Sequence, residues 1–519
     1  MSAPLSDEEQ YQQLNSPDGF ATSDVPELLC RLGRLIDLSG QLKHPEGIDR
    51  AIAACADLSK QPLRSDQGAL LHYFSANAWS HRWQLKGGNH TSWEQQELEQ
   101  EILELRLAAR HAEILPKIRR CQIFTNLGNA LSRAGRFIEA IQSYDRTLAI
   151  DAGFGMAVGN RAVELTWYAR LVPEPHDRIV RLQESYAELR RARSLPLEGD
   201  AGAAFVEHQS MVERLVPTLA LQHRHDLGRG KLGRSREERM YRQWCLRHRL
   251  FLHPVNDIGP FPLAAADPIS LSGVRTALDE GPNLIGLFNQ LKQEFVSSRY
   301  MLFASTQRNR VHFADHGVRL TNTLDYPSYS LATEQLKASF RVAYSLLDKI
   351  GFFLNDYLGL GIGQRDVTFR TLWYSNKEKK DLRLNLQSLQ NPPLRALFWL
   401  AKDLDEKASG LAAALEPDAR QLADIRNHLE HKYLKLHLAD WHGLPPRDDA
   451  FTRLLTDTLA FSMSRDDFSA KTIRLLQLVR AALLYLACAI GAHEGQKAKE
   501  HPAKTAIMEL PAWEDRWKH

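Results

Sequence analysis

A chain of 519 residues with 44% hydrophobic and 25% charged side chains has the composition of a folded globular protein of two to four domains, and excludes extensive disorder. Its formal net charge of +3 makes no global case for a nucleic-acid ligand, and no apolar run reaches the length of about 18 residues that crosses a bilayer. The acidic, polar start MSAPLSDEEQYQQ does not read as a secretory signal. The five cysteines (Cys30, Cys55, Cys121, Cys245 and Cys488) are odd in number and lack a CxxC pair. Neither a disulfide framework nor a zinc site is expected, no membrane partner is expected, and a reducing cytoplasm is the expected compartment.

In chain order, residues 1–25 read as a polar tail, and helical patterning then runs from 26 to 195. Its clearest unit is Cys121 to Ala152, where Phe124, Leu127, Gly128, Leu131, Ala140 and Tyr144 fall at the places of a 34-residue tetratricopeptide pattern, which the segment resembles. Small Gly128 and Ala140 let two antiparallel helices approach closely, and Gly135 permits the turn between them. Ala152 stands where that pattern has a proline. Gly47 to Leu58, Leu70 to Trp79 with Trp93 to Ala112, and Met156 to Tyr168 with Arg178 to Ser194 read as more degenerate units. Three or four stacked pairs imply a concave face for a protein partner or trigger, whose identity the sequence does not carry.

Residues 196–330 read as a mixed connecting region. Leu221 to Arg249 holds nine Lys/Arg against three acids, with His223, His225, Tyr241 and Trp244 interleaved. Such a segment either tracks a phosphate backbone or is a solvated helix face behind a loop. Gly228-x-Gly230-x-x-Gly233 has no hydrophobic strand before it, so neither a dinucleotide site nor any other cofactor is expected. The apolar run Tyr300 to Ser305 reads as a short strand. From 331 to 495 helices return over Leu331 to Leu358, Pro393 to Asp405, Pro417 to Leu438 and Ala470 to Gly491, which makes a four-helix bundle the economical reading. A long connection, Gly359 to Asn391, includes the basic run Lys377 to Arg383, and 496–519 reads as a C-terminal tail. The fold class is all-α.

The third of these helices carries Arg426-Asn427-His428-Leu429-Glu430-His431. Cleaving RNA without a metal needs a base for the 2′-hydroxyl proton, an acid for the leaving 5′-oxygen and a cation for the charge on phosphorus. An imidazole titrates near neutrality and serves either proton role, and a guanidinium matches phosphate oxygens with forked donors. Asn427 and His431, four residues apart, lie about 40° from each other around the helix, whereas Arg426 lies about 140° from His431. One helix supplies one His and one Arg, so the spacing suits a site shared by two copies across a twofold axis.

Within a helical bundle, R-N-x-x-x-H resembles the Rx4–6H signature of HEPN ribonucleases. RNHLEHKYLKL, the upstream repeats and the YRQWCLRHRLFLHPVND segment (Tyr241 to Asp257) together resemble a subfamily in which tetratricopeptide repeats precede the HEPN bundle. That resemblance implies a metal-independent endoribonuclease that acts as a homodimer on RNA and leaves 2′,3′-cyclic phosphate and 5′-hydroxyl ends. It implies that Arg426 and His431 are catalytic and that Asn427 supports them, and it allows a role as a restrained toxin or in antiviral defence. Asp348 and Lys349, which interrupt an apolar stretch of the first bundle helix, are possible supports: Lys349 on phosphate, Asp348 on the His431 tautomer. An amphipathic helix with a solvent-facing pair explains them equally well. Tyr433 reads as packing, and Lys432 and Lys435 as exposed lysines that attract RNA. HLEH lacks the HExxH spacing, so no metal is expected on His428, Glu430 and His431. Two rival readings stay open: a non-catalytic adaptor, and a regulator that binds a nucleotide through Arg426 and the basic 221–249 segment.

Overall fold

A computed structural model describes residues 5–271, 273–275, 281–307, 311–376, 381–404, 419–438, 457, 459–500 and 510–518. It is all-α apart from one pair of short strands. From Leu5 to Val25 the described residues are not a tail. Ser6 caps α1 (Asp7–Leu14) in a reciprocal capping box with Glu9, and Tyr11 is buried with its ring stacked on His44.

Helices then pair and stack: α2 (Val25–Leu42) on α3 (Pro45–Leu58), α4 (Ser65–Leu85) on α5 (Gln96–Arg110), α6 (Lys117–Arg133) on α7 (Phe137–Ile150), and α8 (Gly155–Leu171) on α9 (Pro175–Ala192). A Cβ on Gly128 would collide with the Tyr144 ring, and Gly135 turns the chain between α6 and α7 at φ +80°. Stacking continues past residue 195, because α10 (Ala201–Leu215) and α11 (Thr218–Gln222) pack on α9.

After α12 (Arg236–Arg247) comes α13 (Asn283–Gln307), which swallows the expected strand at Tyr300 to Ser305. Phe288, Leu291, Phe295 and Leu302 are buried along α13 at helical spacing; a short apolar run does not itself choose between helix and strand. The rest of the bundle is α14 (Leu331–Tyr357), α15 (Leu384–Gln387), α16 (Pro392–Asp403), α17 (Ala419–His431), strands β1 (Leu434–His437) and β2 (Phe461–Ser464), and α18 (Arg465–Glu500). Of the basic run in the long connection, residues 377–380 lie outside the described residues, as does the expected start of α17 at Pro417.

α18 contains an 18-residue window of mean hydropathy 1.8, so one helix here is long and apolar enough to cross a membrane, contrary to the composition-based expectation. Other helices already cover it: 78% of that window is buried. It also takes in the first residues of the expected C-terminal tail, up to Glu500.

One hydrophobic core runs without a break from Ala69 in α4 to Ile490 in α18. Buried charges stitch the same boundary. Asp403 of α16 receives Arg106 of α5 at 2.8 Å and also Arg136, which in turn holds Glu139. Burial works against the Asp403 charge, but the two guanidinia outweigh it and hold the carboxyl at about 2. Glu139 accepts the Tyr485 hydroxyl of α18 at 2.7 Å. Further along, Arg480 of α18 is fully buried, donating to Asp257 at 2.6 Å and to the carbonyl of Phe251, while Tyr168 of α8 donates to the other Asp257 oxygen.

Candidate active site

Leu422, Ile425 and Leu429 recur at helical spacing along α17 and are buried, which fixes the rotation of the helix. Arg426, Asn427 and His428 are therefore half-buried, and Glu430 and His431 exposed. The Arg426 guanidinium lies over the Tyr344 ring of α14, 5.9 Å from its centroid, and donates to Asn427 Oδ1 at 3.2 Å. No carboxylate pairs with Arg426 among the described residues. His431 is the last residue of the helix, and no described residue hydrogen-bonds its ring. It lies five positions after Arg426, about 7.5 Å along the axis.

Two other members of the string serve structure. His428 Nδ1 sits 2.7 Å from the Asp424 carbonyl oxygen, and its ring stacks on Phe461 of β2 at 4.9 Å. Glu430 lies 3.9 Å from Arg341 of α14. Among the described residues, no group of three His, Cys, Asp or Glu side chains is arranged to hold a metal.

The helix does not run to Leu438 as its pattern predicts. Leu434–His437 is a strand, parallel to Phe461–Ser464, and all four of its residues are buried. The Tyr433 carbonyl accepts the Phe461 N–H at 2.9 Å, and the Leu436 carbonyl accepts the Ser328 N–H at 2.7 Å. Those partners satisfy backbone groups that a helix would have used internally. Arg341 donates to the Leu429 carbonyl at 2.7 Å, one of the four acceptors that a helix C-terminus leaves unmet. The motif is thus the last turns of a helix, held on one side by α14 and on another by β2.

Three expectations about its surroundings change. Lys435 is not an exposed RNA-attracting lysine; its ammonium is buried between Asp325 at 2.6 Å and Asp457 at 2.8 Å. Burial opposes that charge, but the two carboxylates prevail and raise its pKa. Tyr433 does more than pack: it is partly exposed, and its hydroxyl lies 3.1 Å from that of Tyr329. Burial, then this contact, push the Tyr329 phenol up to about 12. Asp348 and Lys349 are not beside His431. Arg341 meets Leu429 and Tyr344 meets Arg426, so α14 and α17 run antiparallel. Asp348 then lies about two turns from Arg341, in the direction away from His431. Its Oδ1 accepts the Phe369 N–H at 3.1 Å, and Lys349 pairs with Glu294 of α13 at 2.6 Å.

Four of the nine basic residues of the 221–249 segment are committed to carboxylates. Arg224, Arg229, Arg242 and Arg249 form ion pairs with Glu184, Asp226, Glu238 and Asp145. Tyr241 and Trp244 pack on Phe303 of α13. Gly230 and Gly233 occur in an exposed turn after α11, with no strand before it.

Sequence reasoning missed Arg341 and Tyr344, the two α14 residues that seat the motif. Their three-residue spacing on one helix face was the available signal.

The chain is all-α, and a family-model match supports a HEPN domain in its C-terminal part, a class made up in general of ribonuclease-type nucleases. More narrowly, residues 275–493 match the family model described as LA2681-like HEPN, a stretch that takes in α13 and all of α17. No curated protein matches the chain.

Proposed function

We propose that this protein is an endoribonuclease that cuts RNA through 2′-hydroxyl attack, with Arg426 and His431 as catalytic residues and Asn427 orienting Arg426. The observation that carries this reading is the contrast within one helix end. Arg426 is held by a ring and an amide and has no acid partner among the described residues, while the His431 ring is open to solvent. Arg426 stabilises charge on the phosphorane oxygens. One His431 takes the 2′-hydroxyl proton as the oxygen attacks phosphorus, and an imidazolium returns a proton to the departing 5′-oxygen. The products are a 2′,3′-cyclic phosphate and a 5′-hydroxyl. Two proton carriers are needed and one chain offers one, which supports a homodimer that brings two copies of α17 to a common cleft. The stacked helix pairs serve as the sensing or restraining surface, and defence or toxin activity is the use that such restraint suits.

Cleavage of unstructured RNA in EDTA tests the assignment. Wild type is expected to cut and Arg426→Ala and His431→Ala to be inactive. Cleavage that survives both substitutions removes these residues from catalysis. An inactive wild type that still dimerises supports the adaptor, and nucleotide binding weakened by Arg426→Ala supports the regulator.

A further inference from the structure

A polar cavity of about 680 Å³ opens between α4, α6, α7 and α8, far along the chain from the HEPN motif. Four asparagines line it. Asn126 donates to Asn77 Oδ1 at 3.1 Å, and Asn160 donates to Asn129 Oδ1 at 2.9 Å. The Tyr144 hydroxyl also donates to Asn129 Oδ1 at 2.9 Å, so both lone pairs of that oxygen are used. What remains along the row is the NH2 of Asn77 and of Asn129, and the carbonyl and second N–H of Asn126 and of Asn160. Donors and acceptors are both left over, as a peptide main chain requires.

Glu164, from the same helix as Asn160, lines the cavity beyond the amides. It is 6% exposed, its Oε2 accepts the Ser132 hydroxyl, and no cation pairs with it among the described residues. Burial pushes its carboxyl up to about 7. Arg133, the nearby guanidinium on the cavity wall, is already committed to Glu101 and lies over Trp83. A buried carboxylate without a counter-charge is costly, and an incoming cation relieves that cost.

We propose that this cavity binds an extended peptide segment whose main chain pairs with the asparagine row and whose Lys or Arg side chain, or N-terminal amine, reaches Glu164. An extended chain advances about 3.3 Å per residue, so a few residues span neighbouring helices about 8–10 Å apart. The site gives chemistry to the sensing surface named above, and it stands apart from the cleavage reading because binding is measured without RNA. Its wall also touches the bundle: Arg395 of α16 donates to the Arg133 carbonyl at 3.1 Å and to that of His90.

Random peptides displayed on phage, about twelve residues long, are selected on the full chain and depleted on Asn129→Ala/Asn160→Ala; a twelve-residue extended chain is ample for the row. Enriched sequences are expected to share one basic residue at a fixed place. A synthetic representative is expected to lose about ten-fold in affinity on Glu164→Gln, and about as much when its basic residue becomes norleucine, with little further loss when both changes are combined. Glu164→Gln keeps the shape and the acceptor for Ser132, so that loss is separable from unfolding even where the double variant misfolds. Absence of enrichment, enriched peptides without a basic residue, or an affinity that ignores Glu164→Gln overturns the proposal.

Discussion

The seam between the helix pairs and the bundle and the free end of α17 both carry arginine, yet they handle charge in opposite ways. At the seam, Arg106, Arg136 and Arg480 are buried and spent on Asp403, Glu139 and Asp257. At the motif, Arg426 meets a ring and an amide, and the exposed His431 ring has no hydrogen-bond partner among the described residues. Charge that is paired in the interior specifies which surfaces meet. Charge left with soft partners at an exposed edge remains available for a substrate. The partners of each arginine separate the two cases.

The largest effects should fall on the seam. Asp403→Ala removes the carboxylate that two buried guanidinia share and is expected to cost about 3–5 kcal/mol in denaturant unfolding. If it costs under about 1 kcal/mol, the seam is not built on charge. His431→Ala is expected to lower RNA cleavage by about 10²–10⁴-fold while moving unfolding by no more than about 0.5 kcal/mol. A stability loss that tracks the activity loss would make His431 a scaffold residue.

Glu164→Gln sharpens the contrast from a third place, a buried carboxyl that no cation pairs with among the described residues. Its carboxyl is raised to about 7 in the folded protein from an ordinary 4.5, so the native state prefers the protonated form. Wild type loses this contribution as pH rises from about 4.5 to 7. The Gln variant should thus match wild type near pH 4 and be more stable by about 2–3 kcal/mol above pH 7. Equal stability of the two at pH 8 would show that Glu164 is not desolvated. The smallest effect is at the helix end. Arg341→Met removes the donor to the Leu429 carbonyl and should cost about 1 kcal/mol, read by thermal unfolding, with faster amide exchange in the last turn of α17.

Helices were the legible part of this chain, because apolar side chains three and four apart declare a buried face. Leu422, Ile425 and Leu429 do so for α17 without outside help. Its end was not legible, since Leu434–His437 is a strand only through pairing with Phe461–Ser464, some 27 residues on. Tyr300 to Ser305 misled for a related reason: an apolar hexamer carries no period. Candidate residues followed the same division. Arg426, Asn427 and His431 lie together on a single helix, where spacing sets geometry. Asp348, Lys349 and Lys435 were misjudged because their partners Phe369, Glu294, Asp325 and Asp457 come from elsewhere in the chain. Glu164 and the asparagine row belong to three helix pairs, and only stacking brings them to one cavity.

The unbroken core from Ala69 to Ile490 bears on how this architecture can be inherited. A HEPN domain excised at residue 275 would lose the ring contact between Trp93 and Phe398, the acceptor of the Tyr485 hydroxyl and both partners of Asp403. Recombination that exchanged the helix pairs for another sensor would have to recreate that surface in the same step. The two halves are therefore expected to descend together, and new specificities to arise by substitution within the groove rather than by shuffling of modules.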